Sequence, residues 1–169
     1  MTIDVFANRI VHVTRVLFVC TGNICRSPTA EAVARSMAYD RDLQDQVEFD
    51  SAGLEGYHVG DPPDHRAIEH GQQRGYDLSH LRARRVRTDD FTAFDLILAM
   101  DHGHYRALLR QCPPPLRSKV RMFLSGATEC DVADVPDPYY GRDRDFEIVL
   151  DLCEAAMPKW LDLAAGRPT

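Results

Sequence analysis

A single α/β domain, with a central four-stranded parallel sheet and helices on both faces, is the fold these 169 residues predict. Three observations carry that expectation. Short runs that are apolar without alternation, RVLFVC (15–20) and FDLILAM (94–100), suit strands covered on both faces. Helical stripes separate them, and strands alternating with helices build parallel sheets through right-handed crossovers. No internal repeat, low-complexity tract or linker breaks the pattern. One domain is therefore expected over 15–165, with 1–14 as an N-terminal tail or extension.

The elements follow in order. After the first strand comes a tight turn, CTGNICRS (20–27). Ser27 is then expected as a helix N-cap and Pro28 at the first helical position. Ala30, Val33, Ala34, Met37 and Ala38 form the buried stripe of that helix. VEFDSAG (47–53) reads as the second strand. A second helix opens at Asp64 and closes at Gly75. FDLILAM is the third strand, and the helix after it, from about His102, stops at CPPP (112–115). KVRMFL (119–124) is the fourth strand. A long loop, 125–143, carries DVPDPYYGRD (134–143) and leads into the last helix, Phe146 to Leu163. Ile148, Val149, Leu152, Ala156, Trp160 and Leu163 are available for its buried face.

Composition narrows the function classes. With 44% hydrophobic and 27% charged residues the chain suits a globular domain. A formal net charge of −6 argues against a nucleic-acid binder, which would carry a basic face. The one basic cluster, RARRVR (82–87), reads as a solvated face. No apolar run is long enough to span a bilayer, and the start, MTIDVFANRIVHV, has no leader pattern. A cytoplasmic protein without membrane insertion is expected. Five cysteines, with no CxxC pair and no metal-ligand spacing, are expected to be reduced, with Cys112 and Cys153 packing as small hydrophobes. The histidines of HGH (102–104) read as surface residues. No metal and no cofactor are expected.

The turn is where chemistry concentrates. In open α/β sheets ligands bind beyond the carboxyl ends of the strands, and Cys20 stands at such an end, just before a helix. A helix N-terminus and inward-facing amides favour the thiolate, the reactive form of a cysteine. Arg26 can fold its guanidinium back over the loop and add paired hydrogen bonds and a fixed positive charge. Gly22 and Asn23 tolerate the left-handed backbone that turns successive amides into one anion nest. The loop, Thr21 to Ser27, lacks the Gly-Lys-Ser/Thr of a nucleotide cradle. A cysteine facing a phosphate-sized nest points instead to nucleophilic attack on phosphorus.

VCTGNICRSP resembles the signature loop of the low-molecular-weight protein tyrosine phosphatases, bacterial type. The likeness continues in order through DSAG, HVGDPPDHRA, FDLILAMD and DPYYG, from about Arg15 to the last helix. It implies Cys20 as nucleophile, Arg26 with the loop amides as phosphoryl clamp, and a phosphocysteine intermediate. The leaving phenolate needs an acid. Among Asp131, Asp134 and Asp137 the resemblance selects Asp137, which Pro138 holds extended; the other two read as solvated loop charges. It also implies that Ser27 donates to the thiolate, that Asn23 holds the loop with Ser51 and His80 as network partners, and that Asp101 braces it. Cys25 is implied as a redox partner that traps oxidised Cys20 as a disulfide.

Ile24, Tyr57, Tyr139 and Tyr140 are expected to wall the substrate pocket. Tyr57 stands where the family often has Trp. Arginine phosphatases of the same fold carry Thr at the Ile24 position, so the apolar Ile24 favours an aryl group. The resemblance implies phosphotyrosine proteins as partners, a bacterial tyrosine kinase among them, and raises phosphorylation of Tyr139 and Tyr140. Two alternatives share the fold: a thiol-dependent arsenate reductase and a non-catalytic phosphotyrosine-binding module. The first is disfavoured because 80–100 contains no relay cysteine, the second because nucleophile, clamp and acid are all present.

Overall fold

The computed structural model describes residues 12–127 and 131–167. Most of the expected tail, 1–11, lies outside the described residues, as does Cys130. Four parallel strands form the sheet: β1 (Thr14–Cys20), β2 (Val47–Gly53), β3 (Leu96–Ala99) and β4 (Val120–Met122), in the order β2-β1-β3-β4. Five α-helices accompany it among the described residues: α1 (Arg26–Asp40), α2 (His65–Gln73), the single turn α3 (Asp90–Ala93), α4 (His102–Gln111) and α5 (Asp143–Ala164).

β1 explains why its sequence is apolar without alternation. Val16 and Phe18 face one core, with Val33 and Ala34 of α1 and Met157 and Trp160 of α5. Leu17 and Val19 face the other, with Ile97, Phe91 and Leu108. A central strand of a two-faced sheet has no wet side on which to place polar residues. The stripe expected for α1 is buried at Ala30, Val33, Ala34 and Ala38, with Met37 at its edge. Leu163 of α5, by contrast, is half-exposed.

Two local expectations need correction. The fourth strand is three residues long, and Phe123–Gly126 coil into a 3-10 turn instead of extending it. Trp160 of α5 donates its indole Nε1–H to the Phe123 carbonyl at 2.8 Å, and this buried bond draws the chain off the sheet edge. Ser27 is not the cap of α1 either. The helix begins two residues earlier than expected, at Arg26, with Cys25 at the cap position and no side chain capping it. The Ser27 hydroxyl is engaged elsewhere, as described below.

The β1–α1 loop packs against the end of β2. The Leu54 and Glu55 amides donate to the carbonyls of Cys20 and Thr21, both at 2.9 Å. This approach leaves no room for a side chain at Gly53, where a Cβ would lie 2.7 Å from the Thr21 oxygen. Gly53→Ala is expected to displace the loop and lower aryl phosphate kcat by about tenfold or more while the far-UV spectrum stays native. Wild-type kcat in that variant would refute the packing constraint.

Candidate active site

Cys20, the last residue of β1, lies at the bottom of a cleft of about 300 Å³. The loop above it is held open by its own hydrogen bonding. The carbonyls of Cys20, Thr21 and Ile24 accept from Leu54, Glu55 and Asp64 outside the loop. None of the amides of Thr21–Cys25 is committed to an acceptor among the described residues. Together with the uncapped start of α1, this leaves the loop that follows the sulfur rich in free donors.

Asn23 fixes that shape. Its φ of 56° is left-handed, a conformation costly for most residues but accessible to asparagine. Its side chain makes three hydrogen bonds of 2.9 Å: Nδ2 donates to Ser27 Oγ and Ser51 Oγ, and Oδ1 accepts from the Arg84 amide. Because Asn23 already donates to Ser27, the Ser27 proton is free for Cys20 Sγ, 3.0 Å away, in preference to the Ala52 carbonyl at 3.4 Å. Ser51 in turn donates to Glu31 Oε2 at 2.7 Å. Burial raises the Glu31 carboxyl above its ordinary range, against the hydrogen bond from Ser51 and the charge of Arg35.

His80 has no place in this network. It is exposed and lies 3.6 Å from Asp77 on the turn after α2. Its expected role falls to Arg84, whose amide meets Asn23 while its guanidinium pairs with Asp50 and the buried Asp90. That also corrects the solvated reading of RARRVR at Arg84. Glu31 and Arg84 carry no motif signal; only their three-dimensional neighbours reveal them.

Arg26 is 3% exposed. Nη1 donates to Asp101 Oδ2 at 2.9 Å and to the Val135 carbonyl at 3.1 Å. Nη2 donates to Asp137 Oδ2 at 3.1 Å and Thr21 Oγ1 at 3.4 Å. Nε has no partner among the described residues. Asp101 also caps α4, accepting from the His104 amide at 2.8 Å. Burial alone would raise Asp101, but that amide and the charge and hydrogen bond of Arg26 prevail and hold it low.

The loop that carries Asp137 is pinned by Val135, whose amide donates to the Met100 carbonyl at 2.8 Å. Asp137 is half-exposed, and its Oδ1 accepts from the Tyr139 amide at 3.1 Å. Asp134 is not a free loop charge: it accepts from the amide and Nδ1 of His102 at 2.9 and 2.6 Å. Ile24, Tyr57, Tyr139 and Tyr140 all line the cleft, with His58 beside them, which the sequence reading missed. Tyr139 and Tyr140 meet edge to face at 4.9 Å.

These features have close counterparts. The family model for low molecular weight phosphotyrosine protein phosphatase matches residues 15–166. The chain belongs to that family. It is 46% identical to a putative low molecular weight protein-tyrosine-phosphatase of Synechocystis over 143 residues, 84% of this chain and 90% of that one. It is 40% identical to the Homo sapiens low molecular weight phosphotyrosine protein phosphatase, covering 88% and 94%. A protein tyrosine phosphatase of Entamoeba histolytica, solved with Hepes in its active site, superposes with a TM-score of 0.87 at 39% identity, covering 90% and 98%.

The second cysteine of this phosphatase loop, Cys25, resists ionisation. Burial, then the carboxylate of Asp64 and the neighbouring Cys20, push the Cys25 thiol far above its usual range. His104, taken as a surface residue from sequence, is 5% exposed, because its place three residues after Asp101 turns it to the inner face of α4. Burial, reinforced by Arg26, lowers it from 6.5 to about 4. Between those values the unfolded chain binds a proton that the folded one does not. Stability therefore falls as pH drops from about 6.5 toward 4. Between pH 7.5 and pH 5, urea unfolding should show an extra loss of about 2 kcal/mol in wild type relative to His104→Asn. Equal losses in the two proteins would refute the buried, neutral imidazole.

Proposed function

We propose that this protein tyrosine phosphatase hydrolyses phosphotyrosine by double displacement, with Cys20 as nucleophile and Asp137 as acid and base. The observation that carries the reading is a set of free donors beside a sulfur: the amides of Thr21–Cys25 are uncommitted and Arg26 Nε is unpartnered among the described residues, and Cys20 and Arg26 line the same cleft. A phosphoryl group placed there meets donors on its equatorial oxygens, and they stabilise charge without reorganising. Cys20 attacks phosphorus in line, the P–O bond to the phenol breaks, and Asp137 gives the leaving oxygen its proton. Asp137, now a carboxylate, takes a proton from water as that water attacks phosphorus; the S–P bond breaks and inorganic phosphate leaves. Ser27 stabilises the thiolate at both ends of the cycle.

Substrate class follows from the walls. The cleft is of phenyl phosphate size and its rim carries Tyr57, Tyr139 and Tyr140, exposed rings on which an aryl group can stack. Ile24 offers no hydrogen bond to a guanidine, which favours aryl over arginine phosphate. Phosphotyrosine proteins are the partners this predicts, a tyrosine kinase among them, acting in the cytoplasm. No helix among the described residues is long and apolar enough to cross a membrane.

The test is hydrolysis of p-nitrophenyl phosphate and a phosphotyrosyl peptide in EDTA, alongside thioredoxin-coupled arsenate reduction. Wild type is expected to hydrolyse both phosphates. Cys20→Ser should lose ~10³-fold or more, and Asp137→Asn ~10²–10⁴-fold. Asp137→Asn within threefold of wild type would overturn the acid assignment, and arsenate reduction without phosphatase activity would overturn the reaction class.

Cys25 lines the same cleft, and we assign it as resolving thiol. Peroxide oxidises Cys20 to a sulfenic acid; attack by Cys25 sulfur forms the disulfide and releases water. Because Cys25 resists ionisation, that condensation should be slow. Dithiothreitol is expected to restore most activity after brief peroxide treatment of wild type, and little in Cys25→Ser. Equal recovery in both would remove the role.

A further inference from the structure

Arg26 presents an accounting problem that His104 resolves. Both protons on Nη1 are committed, to Asp101 and Val135. The Nε proton is unpartnered and those on Nη2 go to Asp137 and Thr21. When Asp137 carries the proton it must deliver, its hold on Nη2 weakens, because a neutral acid accepts less strongly than a carboxylate. Thr21 Oγ1 is then the fixed acceptor that keeps Nη2 in place.

The direction of the Thr21 hydroxyl follows from its neighbours. A guanidinium only donates, so Thr21 Oγ1 accepts from Arg26. Its own proton is left for His104 Nε2, 2.8 Å away. The other ring nitrogen, Nδ1, is buried, has no well-aligned hydrogen-bond partner and faces Asp101 Oδ1 at 3.1 Å. A bare lone pair on Nδ1 would oppose that carboxylate oxygen, whereas an N–H there is attracted to it. The neutral ring therefore carries its proton on Nδ1 and accepts at Nε2. The charged groups around it are Arg26, Asp101, Asp137 and Asp134.

We propose that His104 is a positioning residue for phosphoryl transfer: with Asp101 it orients the Thr21 hydroxyl as an acceptor that holds Arg26 Nη2 at the anion seat. Nε and the Nη2 proton that protonated Asp137 releases are then aligned for bidentate binding of the phosphoryl group. The inference rests on Arg26 being the phosphoryl clamp. It adds a carboxylate–imidazole–hydroxyl relay on a third element, the start of α4.

Two measurements test it. Long-range nitrogen–proton NMR correlations of His104 near pH 7 should show the Nδ1–H tautomer; the Nε2–H tautomer would overturn the relay whatever the activity. In kinetics, Thr21→Val should lower kcat by about tenfold with KM changed less than threefold, since clamp alignment matters most in the transition state. Thr21→Ser, which keeps the hydroxyl, should recover most of that loss. His104→Leu should match Thr21→Val, and the double variant should be no worse than the poorer single one. Multiplying losses, or kcat of Thr21→Val within twofold of wild type, would refute the proposal. If His104→Leu does not fold, the tautomer and the Val/Ser pair decide alone. Loss of activity in wild type itself would instead strike the phosphatase reading.

Discussion

Everything in the site depends on holding one guanidinium charge where water hardly reaches it. Burying a charge without partners costs several kcal/mol, so Arg26 is tolerable only because Asp101, Val135, Asp137 and Thr21 converge on it. Those partners come from three segments far apart in sequence: the loop itself, the start of α4 and the acid loop. The arginine thus does two things at once. It draws Asp137 into the cleft that Cys20 lines, and it keeps one N–H, at Nε, without a partner among the described residues.

The second constraint is backbone shape. An anion nest needs its carbonyls turned outward, and here they are taken up by residues just after β2 and at the N-cap of α2. The left-handed turn at Asn23 is the point where that inversion is made. Its side chain then ties the strain to Ser27, Ser51 and Arg84, so the conformation is overdetermined by groups that also reach the nucleophile. Glu31 terminates the chain on the far side as a buried acceptor, itself held by Arg35. Loop geometry and thiolate stabilisation are one network.

What could be read from sequence was whatever is local or strongly patterned. The loop is contiguous, so nucleophile, clamp and left-handed turn lie within eight residues. β1 and β3 are apolar on both faces, which only a covered sheet explains. Asp137 was within reach only because DPYYG resembles the family motif, which selects it over Asp131 and Asp134; its distance from Arg26 was not legible. The misses share a physical origin. Ser27 looked like a cap because serine before proline usually is one, but Asn23 and Cys20 compete for its hydroxyl. His80 lost its role because a network can be completed by any donor, and the Arg84 amide was nearer. His104 was hidden because three-residue spacing from Asp101 decides which face it takes, and composition is silent on that.

The inequality of Cys20 and Cys25 shows how little residue type says without its surroundings. Both sulfurs are buried and both border the same cleft. Cys20 stands at a strand end, with the Ser27 hydroxyl at 3.0 Å and a run of uncommitted loop amides after it in the chain. Cys25 occupies the cap position of α1, but apolar packing with Ala67, Leu78 and Phe146 and the nearby Asp64 carboxylate oppose the same charge. One thiol has a hydroxyl and free amides for neighbours, and the other is placed where an anion is excluded. The chain thereby keeps a second sulfur beside its nucleophile without creating a second nucleophile.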